Sequence, residues 1–164
     1  MTSAGGFGRL RHPSHRYDDD LVLKVPLLLW LALVFLVRHV LLLGITFMPT
    51  TGEEIEVLRH LARPAYVLAD LPAALVMLAG MKRRRPCAAW VARIWRFGRE
   101  ILTGAILLYY ALVAWTLSDT GRALVDAIDE WLLTSLLLCL AILAYLWRSP
   151  LIADVMLDCP ERED

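Results

Sequence analysis

The sequence predicts an all-α membrane protein of four transmembrane helices, with a short amphipathic helix lying at the membrane interface. Three observations predict it. The chain of 164 residues is 59% hydrophobic, against roughly 45 to 50% in an ordinary soluble domain. It contains four long apolar stretches that show no polar face. Its basic residues are crowded into alternate connecting segments. Lys plus Arg number 17 and Asp plus Glu number 17, so the formal net charge is zero and the chain has no bulk attraction for a polyanion. Nucleic acid is therefore not expected as a partner; the lipid bilayer is.

The first stretch, residues 25–48, is interrupted by only two strongly polar side chains, Arg38 and His39. As a helix it would be about 36 Å long, enough for a hydrocarbon core of about 30 Å. Leu27 to Val37 is apolar at eleven consecutive positions, so it is greasy all round, and only lipid or a large core accepts such a helix. It is too long for a cleaved signal peptide, follows Asp18, Asp19 and Asp20, and lacks a small-residue cleavage site. The later spans are expected over about 62–81, 99–117 and 131–147, which makes 25–147 the transmembrane domain, 1–24 an amino-terminal arm and 148–164 a tail. Trp115 and Trp131 bracket one membrane face and Trp90, Trp95 and Trp147 the other, the depth at which indole buries its ring and keeps its N–H wet.

Charge sets the expected orientation. The arm, the 82–99 segment and the tail together carry 13 Lys and Arg residues, whereas the two opposite connections carry only Arg59, Arg63 and Arg122. Positively charged loops stay in the cytoplasm, so both termini should be cytoplasmic in a bacterial inner membrane. The second span is the least secure. Its six Leu and Val residues each favour insertion by about 0.3 to 0.6 kcal/mol, and a central Asp70 costs about 2.5 to 3.5 kcal/mol, so the two nearly cancel. The first span has sixteen Leu, Val, Ile or Phe residues and inserts unaided.

Between the second and third spans, Lys82, Arg83, Arg84 and Arg85 form a basic anchor, followed by an amphipathic piece with Trp90, Val91, Ile94 and Trp95 on one face. Lys82 to Arg85, Trp90 and Trp95 are expected as an interfacial anchor on the inner leaflet, where anionic lipid attracts basic residues. Met48 to Gly52 reads as a turn.

Inside the spans, Arg38, His39 and Asp70 form a candidate polar cluster. Arg38 lies ten residues before Met48 and Asp70 ten after His60, so antiparallel helices would bring them to similar depth, where an ionised side chain needs a counter-charge. The bland reading is a clasp between helices one and two, with Arg38 paired to Asp70 or snorkelling. The functional reading is a proton or small-ion path, because carboxylate and imidazole are the usual relay groups. Ala69 and Ala73 have the small-xxx-small spacing that lets a neighbouring backbone approach. Tyr109, Tyr110, Thr134, Ser135 and Cys139 read as packing. Cys87, Cys139 and Cys159 show no CxxC spacing and are expected as free thiols. His12 and His15 flank Pro13 with no third ligand nearby, so neither a metal nor another cofactor is expected. With no nucleophile, base and oxyanion set, neither is an enzyme.

The chain resembles the YfeZ-like family of small bacterial inner-membrane proteins of unknown function. The resemblance rests on Tyr17-Asp18, Leu23-Lys24-Val25-Pro26, Leu29-Trp30, Arg38-His39, Ala69-Asp70-Leu71-Pro72-Ala73, Trp95-Arg96-Phe97-Gly98-Arg99 and Asp154-Val155 with Asp158 and Pro160. Cys159 departs from it, standing where the family has an aromatic residue. The resemblance implies a multi-pass membrane protein and no particular activity. The resulting expectation is a structural or accessory membrane protein acting through helix contacts, as a homo-oligomer or within a larger complex. The alternative is a small oligomeric transporter or proton-conducting channel using Arg38, His39 and Asp70.

Overall fold

The structure is a computed structural model, which describes residues 23–46, 64–83, 87–120 and 130–157. The regular elements in it are helices: α1 (Leu27–Leu36), α2 (Arg38–Thr46), α3 (Pro64–Met81), α4 (Ala89–Arg96), α5 (Gly98–Thr120), α6 (Glu130–Arg148) and α7 (Pro150–Leu157). Helix α3 is central. It packs on α1 and α2, on α4, and most extensively on α5, whose other side meets α6.

The distribution of side chains suits lipid better than water. Helix α3 buries Ala69, Ala73, Val76 and Ala79 and exposes Leu68, Leu71, Leu75 and Leu78. In water that arrangement would be inverted, because burying leucine removes more apolar area than burying alanine. In a bilayer the tails are as apolar as leucine, and helix association favours small residues that let backbones approach. Helices α5 and α6 are long and apolar enough to cross, over Gly98–Ser118 and Glu130–Arg148, and in each less than a third of the hydrophobic window is buried inside the protein.

One expectation needs correction. The first apolar stretch is not one helix: α1 and α2 meet at a bend of 61°, and only together do they pass as a span. Over its described residues Tyr66–Met81, helix α3 is a shorter apolar helix, with Asp70 and Pro72 inside it. The described residues contain two helices long and apolar enough to cross, or three with the bent pair. Within the expected tail, Pro150–Leu157 is a helix that buries Ile152, Val155 and Met156. Pro150 opens it at the first helical position, where a missing N–H costs nothing.

Helices α4 and α7 close one end of the bundle. Trp95 of α4 is completely buried, so it belongs to the protein's interior and not to the headgroup layer expected of it. Its Nε1 donates to Val155 O of α7 at 2.8 Å. Its ring lies so close to Gly80 that a Cβ there would sit 2.8 Å from Trp95 Cζ3, with Trp30 Cη2 of α1 next at 3.5 Å. The amphipathic face foreseen for 89–96 exists, but protein covers most of it: Val91, Ala92 and Trp95 are buried, while Trp90 stays exposed. Arg83 ties the amino-terminal approach to this end, donating through Nη1 to Leu23 O at 2.9 Å with its guanidinium 5.4 Å from the Trp95 ring centre.

Cys87, buried at this end, is disulfide-bonded and not a free thiol as expected. A bridge without a local CxxC motif depends on where the fold brings two distant sulfurs, which spacing does not reveal. Cys139 is free and buried.

Gly80→Ala must push Trp95 out of its seat and should lower stability by about 1 to 3 kcal/mol, the usual cost of overpacking. Gly104→Ala, with nothing within 4 Å of the added carbon, should unfold at the wild-type midpoint or above. Thermal unfolding in detergent, followed by tryptophan fluorescence, compares the two.

Candidate functional site: a carboxylate at a broken helix

The bend between α1 and α2 has no proline or glycine to cause it; Val37 occupies the junction at φ −100°, ψ 8°. The cause lies on α3. Asp70 Oδ2 accepts the backbone N–H of His39 at 2.7 Å and that of Val40 at 3.2 Å. In an unbroken helix those two donors would serve Phe35 O and Leu36 O, four residues back. Phe35 O is instead taken by Arg38 Nη1 at 3.0 Å. Asp70 thus caps the amino terminus of α2 from a neighbouring helix, and Arg38 caps the carboxyl end of α1 from within the chain. Both charges lie at the end of the helix dipole that favours them.

The imidazole of His39 completes the arrangement, with Nδ1 3.1 Å from Asp70 Oδ1. His39 and Asp70 are both buried. The expected clasp between helices one and two therefore exists in a different form. Asp70 is held by His39 and by backbone, and Arg38 turns the other way, its guanidinium carbon 4.2 Å from the Phe35 ring centre and 4.9 Å from that of Tyr109. Arg38 Nη2 is buried without a hydrogen-bond partner. Sequence spacing brought the right three residues to one depth, but it could not tell which of two adjacent basic side chains faces α3, because that turns on the bend.

Two tyrosines wall the pair. The His39 ring lies 5.4 Å from Tyr66 and 5.8 Å from Tyr109, and those two meet edge to face at 5.4 Å. Tyr66 Oη is 3.2 Å from Thr116 Oγ1, which donates to Val113 O at 2.8 Å. Tyr110 Oη donates to Leu136 O at 2.7 Å, joining α5 to α6. Tyr66 was not singled out by sequence; its signal was its place four residues before Asp70, on the same helix face. Cys139 of α6 adds a thiol to the surroundings of Arg38.

Of the expected interfacial anchor, Lys82 and Trp90 are exposed, Arg83 is half-buried against Trp95, and Trp95 is interior. Arg84 and Arg85 lie outside the described residues, as do His12, His15 and the 48–52 turn. Among the described residues no group of three or more His, Cys, Asp or Glu could hold a metal ion.

These features define an all-helical protein with helices apolar enough for a bilayer and a buried polar cluster at a helix break. The chain belongs to a family described as protein of unknown function (DUF2919), whose model matches residues 12–158. No curated protein and no solved structure matches it.

Removing the cap should be costly. Asp70→Ala leaves two backbone donors and an imidazole without an acceptor, each at about 1 to 3 kcal/mol when buried, and should lower folded yield sharply; Asp70→Asn, which keeps an acceptor oxygen, should lose less. In double-mutant cycles the His39–Asp70 coupling should exceed the Arg38–Asp70 coupling, and the reverse order would return the clasp to Arg38.

Proposed function

We propose that this is a multi-pass protein of a bacterial inner membrane, related to the YfeZ-like proteins, that acts as a structural or accessory subunit through helix contacts with itself or a larger complex. In this reading α1 and α2 form one broken span, α3 a second, and α5 and α6 the third and fourth. The Lys and Arg asymmetry supports cytoplasmic placement of both termini and of the basic segment at 82–99. The Cys87 disulfide pulls the other way, since such bonds persist in oxidising compartments. The charge asymmetry, spread over many residues, outweighs that single bond.

The observation that carries the accessory role is the commitment of Asp70. Both of its oxygens are engaged in holding the α1–α2 break. A group so engaged is a joint, and a relay needs a chain of groups free to exchange protons. No nucleophile and base are assigned to catalysis. The second reading, a small oligomeric transporter or proton-conducting channel around Arg38, His39 and Asp70, is favoured by one observation. A discontinuous apolar helix with ionisable residues at its break is how transporters build sites at mid-membrane depth.

A reporter fused near Glu54 should be active only outside the cytoplasm and one at the carboxyl terminus only inside; a cytosolic Glu54 would defeat the four-span reading. In proteoliposomes a pH jump should produce no Asp70-dependent flux, and mild-detergent purification should retain a stoichiometric partner or a homo-oligomer. Flux abolished by Asp70→Asn in a folded variant would establish the channel instead.

A further inference from the structure

The basic end of the molecule holds a cation that the described residues leave without an acceptor. Arg99, in the first turn of α5, is half-buried, and its guanidinium carbon lies 4.5 Å from the ring centre of Trp147, near the end of α6. Thr103, one turn further along α5, fixes that indole: its Oγ1 accepts from Trp147 Nε1 at 3.0 Å and donates to Arg99 O at 2.7 Å. Arg99 Nε is buried without a partner, and no hydrogen bond within the described residues engages the two terminal nitrogens. The neighbouring Glu100 points to solvent. Arg148, directly after Trp147, is exposed at the same end.

The surroundings place this cation at headgroup depth. Trp147 is 54% exposed, and Trp90 and Phe97 are exposed at the same end, while Trp115 and Trp131 are exposed at the other, which is the pattern of two interfacial aromatic belts. Below Arg99, at helical spacing on the same faces of α5 and α6, lie the exposed side chains of Leu107 and Leu140. The seam thus presents a planar guanidinium on an aromatic floor, a second, exposed cation on the residue that follows that floor, and an apolar track leading toward the membrane centre. The guanidinium fork matches phosphate oxygens two at a time, and the indole beneath it holds the fork in place without competing for its protons.

We propose that Arg99, Trp147 and Arg148 form a site for the phosphate of one anionic phospholipid, with its acyl chains laid along Leu107 and Leu140. Free phosphate shares the anionic chemistry but lacks the chains, and a zwitterionic lipid would bring its ammonium against two guanidinium groups. The site is thus built for an anionic lipid. It does not depend on the function proposed above, since α5 and α6 qualify as spans by themselves.

The test uses the full chain in detergent, with phosphatidylglycerol, phosphatidylethanolamine and inorganic phosphate as probes, and reads lipid retention by native mass spectrometry together with the shift in unfolding temperature. Phosphatidylglycerol should bind and stabilise; phosphatidylethanolamine and millimolar phosphate should do neither. Arg99→Gln should weaken phosphatidylglycerol binding about tenfold, the scale of one charge-assisted hydrogen bond. Arg148→Gln and Trp147→Leu should weaken it less, and Arg93→Gln, exposed on another helix, α4, should leave it unchanged. If Arg99→Gln fails to fold, the Arg148 and Trp147 variants against Arg93→Gln carry the comparison. Equal losses in Arg93→Gln and the seam variants would reduce the effect to diffuse attraction and overturn the site. Displacement of the lipid by inorganic phosphate, or equal binding of phosphatidylethanolamine, would overturn its assignment to an anionic lipid.

Discussion

A single carboxylate, Asp70, sets the shape of the apolar half of this molecule. An α-helix in hydrocarbon satisfies its own backbone, and breaking it exposes donors and acceptors that nothing in lipid can pair. Here the break is paired from two sides: Asp70 on α3 takes the donors of His39 and Val40, and the Arg38 guanidinium takes the Phe35 carbonyl they leave behind. The exchange brings a negative side chain to an amino terminus and a positive one to a carboxyl terminus, so the costs of burying the two charges are offset by the same backbone groups they rescue.

From that joint the remaining contacts follow. Because Asp70 lies on α3, the α1–α2 pair must run along α3, and the alanines on either side of Asp70 let α3 approach α5 closely. Tyr66 and Tyr109, from α3 and α5, fill the angle left by the bend and stack around His39. At the opposite end of α3, Gly80 admits Trp95, whose indole reaches α7 through Val155. One helix thus carries a polar joint near its start and a glycine seat near its end, and the other elements are arranged around these two points.

Much of the plan was legible in the residues. Leu27 to Val37, Ile101 to Leu117 and Trp131 to Trp147 are apolar without a polar face, and such segments have one favourable solvent. Arg38, His39 and Asp70 stood out because ionisable groups in such segments are expensive. What misled was adjacency. Arg38 and His39 differ by 100° around a straight helix, and a 61° bend changes which one meets α3. Trp95 was placed in the headgroup layer because tryptophans of this kind usually sit there, yet Gly80 and Val155, on other segments of the chain, hold it within protein. The 148–164 segment read as a tail because it follows the last apolar stretch, yet Pro150–Leu157 is a helix whose Ile152, Val155 and Met156 are buried, since neighbouring helices give so short a segment the surface it needs.

Composition and apolar run length by themselves determined that this chain is helical, that its helices are apolar enough for a bilayer, and which three residues are costly there, because those are properties of each segment's own transfer free energy. The partner of Asp70, the break at Val37 and the burial of Trp95 were decided by tertiary structure alone, because hydrogen bonds between separate helices depend on rotations that no single segment encodes.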